Sequence, residues 1–227
     1  MKIFLIRNIF FILGIIINSL GVALITKAAL GTSPISSVPY VLCQHFAPTF
    51  GQFTFYMNMC FIIGQLCILR RKFHAVQFLQ IGVNLLFSAF IDIFMFLLYW
   101  FDTVFLLIKL AALLLGCVIL AFGICIEVAP NVLMVPGEGL VQAIAGSGHW
   151  RFGTVKIAFD TTLVLIACVM SFAFFGWGHL VGLGVGTIIS AVLVGRFVNI
   201  FNIRLSLIHR IAALSLPTSW HQNHNAT

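Results

Sequence analysis

Long uncharged apolar runs dominate the chain, and polar residues return mainly between them. A helix needs about 20 mostly apolar residues to cross a bilayer. Six runs reach that length: 4–26, 52–69, 75–100, 104–127, 153–175 and 179–201. Two shorter apolar segments, 34–47 and 136–147, do not. Each opens with a proline, Pro34 or Pro136, which suits the first turn of a helix. Ser33 stands where an N-cap belongs. The pattern predicts an all-α integral membrane protein with six transmembrane helices plus two re-entrant half-helices. The uncharged stretch Asn8–Thr26 is 19 residues, long for a cleaved leader and right for a span.

Composition agrees. Of 227 residues, 62% are apolar and 7% are charged, against about 25% charged in a soluble domain. A water-soluble globule cannot cover that much hydrocarbon with a polar skin. Soluble enzymes and nucleic-acid-binding domains are thereby excluded, despite a net charge of +7. The basic residues set orientation instead. With six spans and the N-terminus inside, only Lys27 and Lys109 of the 12 Lys and Arg lie outside. If the short segments crossed as well, Arg70, Arg71 and Lys72 would move outside, against the positive-inside rule. Both termini are therefore expected in the cytoplasm. Trp100 and Trp177 then fall at the outer interface and Trp150 at the inner one. The six cysteines lie inside apolar runs without a CxxC pair, and read as small buried hydrophobes.

A shift of the chain by 102 residues superposes its landmarks without gaps. Gly14 meets Gly116, Gly21 meets Gly123, Pro34 meets Pro136, and Phe50–Gly51 meets Phe152–Gly153. Gly82–Val83 meets Gly184–Val185, and Ser88–Ala89 meets Ser190–Ala191. Coinciding Gly and Pro carry weight because they fix backbone geometry. Each copy holds three spans and one half-helix. Three is odd, so the second copy enters the membrane upside down, as two inverted three-span repeats. The expected division is 1–102 (half-helix 34–47), 103–201 (half-helix 136–147), and a tail, 202–227. In the tail, Arg204–Leu216 is expected to lie on the cytoplasmic membrane surface as an interfacial helix, and His221–Thr227 to be disordered.

Several stretches carry a resemblance: GVALITKAALGTSP (Gly21–Pro34), Phe50–Gly51, NLLFSAFID (Asn84–Asp92), VPGEGLV (Val135–Val141), RFGTVKIAFD (Arg151–Asp160) and VGLGVGTIISAVLVG (Val181–Gly195). With these the chain resembles the YczE/YyaS/YitT group of bacterial membrane proteins, and is most similar to its YczE-like members. The resemblance implies a multi-pass protein of the bacterial inner membrane with no established biochemical activity.

Ionisable groups inside spans are costly and mark candidate sites. Glu127 ends the fourth span, and Glu138 sits in the first turn of the second half-helix. The helix macrodipole favours a carboxylate there; facing a cavity, the same group binds a cation or proton. Lys156 and Asp160 lie four apart in the fifth span, as an ion pair or as partners that exchange. Asn58 is the repeat mate of Asp160 and, with Gln65, marks a polar face on the second span. Gln77, Gln80, Asn84, Ser88 and Asp92 make one face of the third span. That face reads as interhelical glue, packed on the Gly178, Gly182, Gly186, Ser190 stripe of the sixth span, or as a polar pathway. Lys27 reaches the interface, or pairs with Asp92 or an anionic substrate. No catalytic motif, cofactor fingerprint or metal-ligand spacing stands out, so no enzyme activity and no cofactor is expected. Two functions fit: transport of a small molecule or cation through a midplane site bearing Glu138, Asp160, Glu127, Asn58, Asp92 and Lys156, or a non-transporting accessory role that binds a partner. The lipid bilayer is the expected surrounding, nucleic acid is not a partner, and the pattern leaves oligomeric state open.

Overall fold

A computed structural model describes residues 2–70, 75–101, 104–130, 132–176 and 180–213. Among these residues every regular element is helical. The spans are α1 (Lys2–Lys27), α3 (Phe50–Leu69), α4 (Leu79–Leu97), α5 (Leu106–Val128), α7 (Phe152–Phe175) and α8 (Val185–Arg204). All six are long and apolar enough to cross a membrane. Two shorter helices interrupt the series. A 3₁₀ turn, Pro34–Ser36, leads into α2 (Ser37–His45), and α6 covers Pro136–Gly148. At about 1.5 Å per residue, α6 is roughly 20 Å long, short of the ~30 Å hydrocarbon core.

Local chemistry explains where these helices begin and end. Proline opens both short helices because its missing N–H would find no partner in a first turn. Ser37 Oγ donates to Pro34 O at 2.6 Å. Thr49 and Gln52 form a reciprocal capping box at the start of α3. His149 ends α6 in the left-handed region, with φ of 54°.

The sixth span starts later than its apolar pattern predicts, at Val185 rather than near residue 179. Gly182 has φ of 72° and Gly184 is fully extended, so the glycine run leaves the helix. It pairs by backbone with the chain after α1: Thr32 N donates to Gly182 O at 3.2 Å, and Gly186 N donates to Leu30 O at 2.8 Å. The small residues of α8 thus receive this loop rather than the polar face of α4. Gly178 and Trp177 lie outside the described residues.

The helices α4, α1, α5 and α8 form a row, each packed on the next. The short helices cross between the halves of the chain: α6 packs on α3, and α2 packs on α7. Helices α1 and α5 run antiparallel in very close contact. A Cβ on Gly14 would stand 2.5 Å from Glu127 N, one on Gly21 2.5 Å from Leu120 N, and one on Gly123 2.5 Å from Asn18 N. Only glycine permits that approach. Val22, Ile25, Leu113, Cys117 and Leu120 fill the core beside it. A second cluster, Val38, Val41, Phe61, Leu163 and Ala167, ties α2 and α3 to α7. Exposed apolar side chains such as Leu107, Val169 and Ile188 cover the outside, as lipid contact demands. Cys117 and Cys125 are buried, whereas Cys60 and Cys67 face outward with the apolar surface.

The short helix α9 (Ser206–Ala213) follows α8 and packs on α5 and α8, with Ile208 and Ile211 buried. The remainder of the expected tail helix, and the segment His221–Thr227, lie outside the described residues.

Candidate functional site

Helices α2 and α6 point their N-termini at each other. Ile35 Cδ1 occupies the space a Cβ on Gly137 would need, and Phe61 of α3 flanks the contact. Glu138 is half-buried in the first turn of α6 beside this junction. It lies within electrostatic reach of Glu127, Lys156 and Asp160. Glu127 is 2% exposed. Its Oε2 accepts from Asn18 Nδ2 at 2.7 Å, and its Oε1 has no donor among the described residues. Asp160 Oδ1 lies 3.0 Å from Lys156 Nζ, one helical turn away. Four of the six sequence-predicted residues therefore gather around the start of α6, supplied by α5, α6 and α7.

The other two stand apart. Asn58 Nδ2 donates to Asn84 Oδ1 at 2.8 Å, and Asn84 Nδ2 donates to Phe55 O at 3.0 Å. This buried amide pair joins α3 to α4. Asp92 sits at the far end of the same seam. It accepts from Thr49 Oγ1 at 2.6 Å and from Gly51 N at 2.7 Å, so its carboxylate caps the N-terminus of α3. Asn84 and Asp92 of the polar face of α4 thus join α4 to α3. Lys27 Nζ lies 5.6 Å from the Tyr99 ring centroid, a cation–π distance.

Along that seam, toward Leu69 and Gln77, the helices part. A cleft of about 410 Å³ opens between α3, the start of α4, the loop before α6, and α6 itself. Gln65, Gln77, Gln80, Gln142 and Ser147 line it, with Leu133 and Met134 from the loop. At its floor Gln65 is fully buried. Gln65 Nε2 donates to Gln80 Oε1 at 3.2 Å and to Pro136 O at 2.9 Å, which ties α3 to the start of α6. A groove lined by Gln142, Gly146 and Trp150 continues past α6. Sequence reasoning marked Gln65, Gln77 and Gln80 as polar faces but not Gln142. The signal was present: Gly139, Gln142, Ala143 and Gly146 repeat at helical spacing and make one small, polar face of α6.

Comparison with known proteins fits this architecture. The model of a family of unknown function, DUF6198, matches residues 5–203. The chain belongs to that family. It is also 30% identical over 193 residues to the uncharacterized membrane protein YczE of Bacillus subtilis (strain 168), covering 83% of this chain and 82% of that protein. The family match runs through the junction of the short helices and the cleft. No solved structure matches. The protein is thus a multi-pass membrane protein of the YczE-like kind.

Proposed function

We propose that the protein transports a small molecule or ion across the bacterial inner membrane, with both termini in the cytoplasm. In this reading the halves 1–102 and 103–201 are inverted repeats, α2 and α6 are re-entrant half-helices, and the site lies where they meet near the midplane. The observation that carries it is an exchange of contacts. A shift of 102 residues turns the Gly14–Glu127 contact into Gly116–Ile25, and Gly21–Leu120 into Gly123–Asn18; each of these four is a close approach between α1 and α5. The same shift turns Ile35–Gly137 into itself, as a contact on a two-fold axis must. It also exchanges α3–α6 packing with α2–α7 packing. Two antiparallel copies related this way insert head-down against one another.

The exchange fails in one region, and the failure supports a transport cycle. On the side read as outer, the loop after α1 docks on α8, and Gly184 lies against Leu30. The mate of that contact is Gly82 with Val132. Gly82 is exposed and a Cβ there meets nothing within 4 Å, and the glutamine-lined cleft opens beside the neighbouring Gln80 and Leu133. One end is closed and its counterpart is open, which is the asymmetry expected of an inward-facing state. Around the axis, Glu138, Glu127, Asp160 and Lys156 supply the charge that couples solute to a cation or proton. Asn58 and Asp92 hold α3 to α4 as part of the frame.

The test is a thermal-shift screen of the purified protein in liposomes against metabolites and cations, followed by flux of any stabilising compound. Ligand-dependent stabilisation and flux that are lost in both Glu138→Gln and Asp160→Asn support the reading. Full retention of both in the two variants contradicts the assignment of the acids.

A further inference from the structure

The acids account for charge, but none of them lines the cleft. Its described lining carries four glutamines, one serine, the glycines of α6 and apolar side chains, with no ionised group among them. A solute that brings a full charge into such a site loses its hydration without gaining a counter-charge. Amides have the opposite character, since each donates and accepts. At about 410 Å³ the cleft is in the range of small-molecule pockets.

Gln65 adds a direction to this chemistry. Both of its donor bonds are committed, to Gln80 and to Pro136. Its Oε1 is buried and has no partner among the described residues. A buried acceptor left unpaired is unfavourable, and a donor arriving through the cleft relieves it. Gly139 keeps that approach open. A Cβ there would stand 2.9 Å from both Nε2 and Oε1 of Gln65. Across the cleft Gln142 is exposed and shares its face of α6 with Gly139 and Gly146.

We infer that the cleft is a binding site for an uncharged polar solute, a small polyol, sugar or amide, whose hydroxyl or N–H donates to Gln65 Oε1. Gln80 and Pro136 O orient Gln65, and Gln142 supplies a second amide from the opposite wall. This deepens the transport reading and rests on it for the solute's purpose. Binding itself needs no flux, so a detergent-solubilised protein tests it separately.

The probes are glycerol, myo-inositol, glucose and acetamide, set against acetate, ammonium, choline and phosphate, with binding read by isothermal calorimetry and by saturable change in Tm. The expected result is saturable binding of at least one neutral probe and of no ion. Gln142→Ala, at an exposed position, is expected to fold normally and to weaken that binding at least tenfold. Gly139→Val is expected to abolish it, and Gln65→Leu likewise. Binding of ions alone, or of none of the eight probes, overturns the proposal. So does neutral-probe binding that Gln142→Ala and Gly139→Val both leave intact. If neutral binding holds while liposome flux is absent, the transport reading fails and the site stands.

Discussion

Ile35 and Gly137 touch where α2 and α6 converge, and the glycine is there because the isoleucine fills its side-chain space. Gly137→Val forces the two apart at a packed junction. Overpacking of this kind costs about 1–3 kcal/mol. The Tm in detergent should fall, and Ile35→Ala should recover much of the loss in the double variant, because it vacates the volume the valine needs. Additive losses in the two single variants and the double would show that the residues are not in contact.

Asp92 is predicted to matter for stability rather than for ligand binding. Its two oxygens hold Thr49 Oγ1 and Gly51 N at the start of α3. Asp92→Ala removes both acceptors and should cost about 1–2 kcal/mol, the usual value of a helix cap. Asp92→Asn keeps one acceptor and should cost less. Measured by thermal unfolding, the ranking should be wild type, Asn, Ala, and the affinity for any solute bound in the cleft should be unchanged in the Asn variant.

The two positions Gly82 and Val132 provide a test of alternation. At the counterpart contact, Gly184→Ala should lower the Tm in detergent, since a Cβ there would stand 2.5 Å from Leu30 O. In a chain freed of its native cysteines, Gly82→Cys with Val132→Cys should cross-link slowly, as the cleft closes from time to time. Once formed, that cross-link should protect Ala143→Cys on the cleft wall from maleimide. A pair at these positions that never cross-links in membranes under sustained oxidation would contradict a cycle in which the cleft closes.

Much of this was legible in the chain. Hydropathy located six spans, because lipid demands long apolar runs, and Pro34 and Pro136 marked both short helices. The landmarks that recur after 102 residues include the glycines that pack α1 on α5. Other features were hidden by long-range contacts. Gly182–Gly184 read as helix, since an apolar run in a span usually is one; its extended form depends on the backbone of Leu30 and Thr32, some 150 positions earlier. Asp92 read as an acid in a span, either part of the glue between helices or of a site, and its partners at the start of α3, Thr49 and Gly51, lie some 40 positions away in the chain. Glu127, Glu138, Lys156 and Asp160 were expected in one site together with Asn58 and Asp92, and the fold brings the first four near one another while Asn58 and Asp92 stand between α3 and α4. The cleft was not anticipated, because it is a space left between α3, the start of α4, α6 and the loop before it, and such a space leaves no mark on composition or period.

The proposed opposed orientation of the two halves underlies the transport reading, and sidedness at α2 and α6 tests it most directly. His45 and Ser147 are repeat mates, and both are exposed at the C-terminal ends of their short helices. Each is replaced by cysteine in a cysteine-free chain and probed in intact cells and in inverted vesicles with a membrane-impermeant maleimide. Labelling of His45→Cys from outside only, and of Ser147→Cys from the cytoplasm only, is the predicted result. Labelling of both from the same side would contradict inverted halves and, with them, a transport site between α2 and α6.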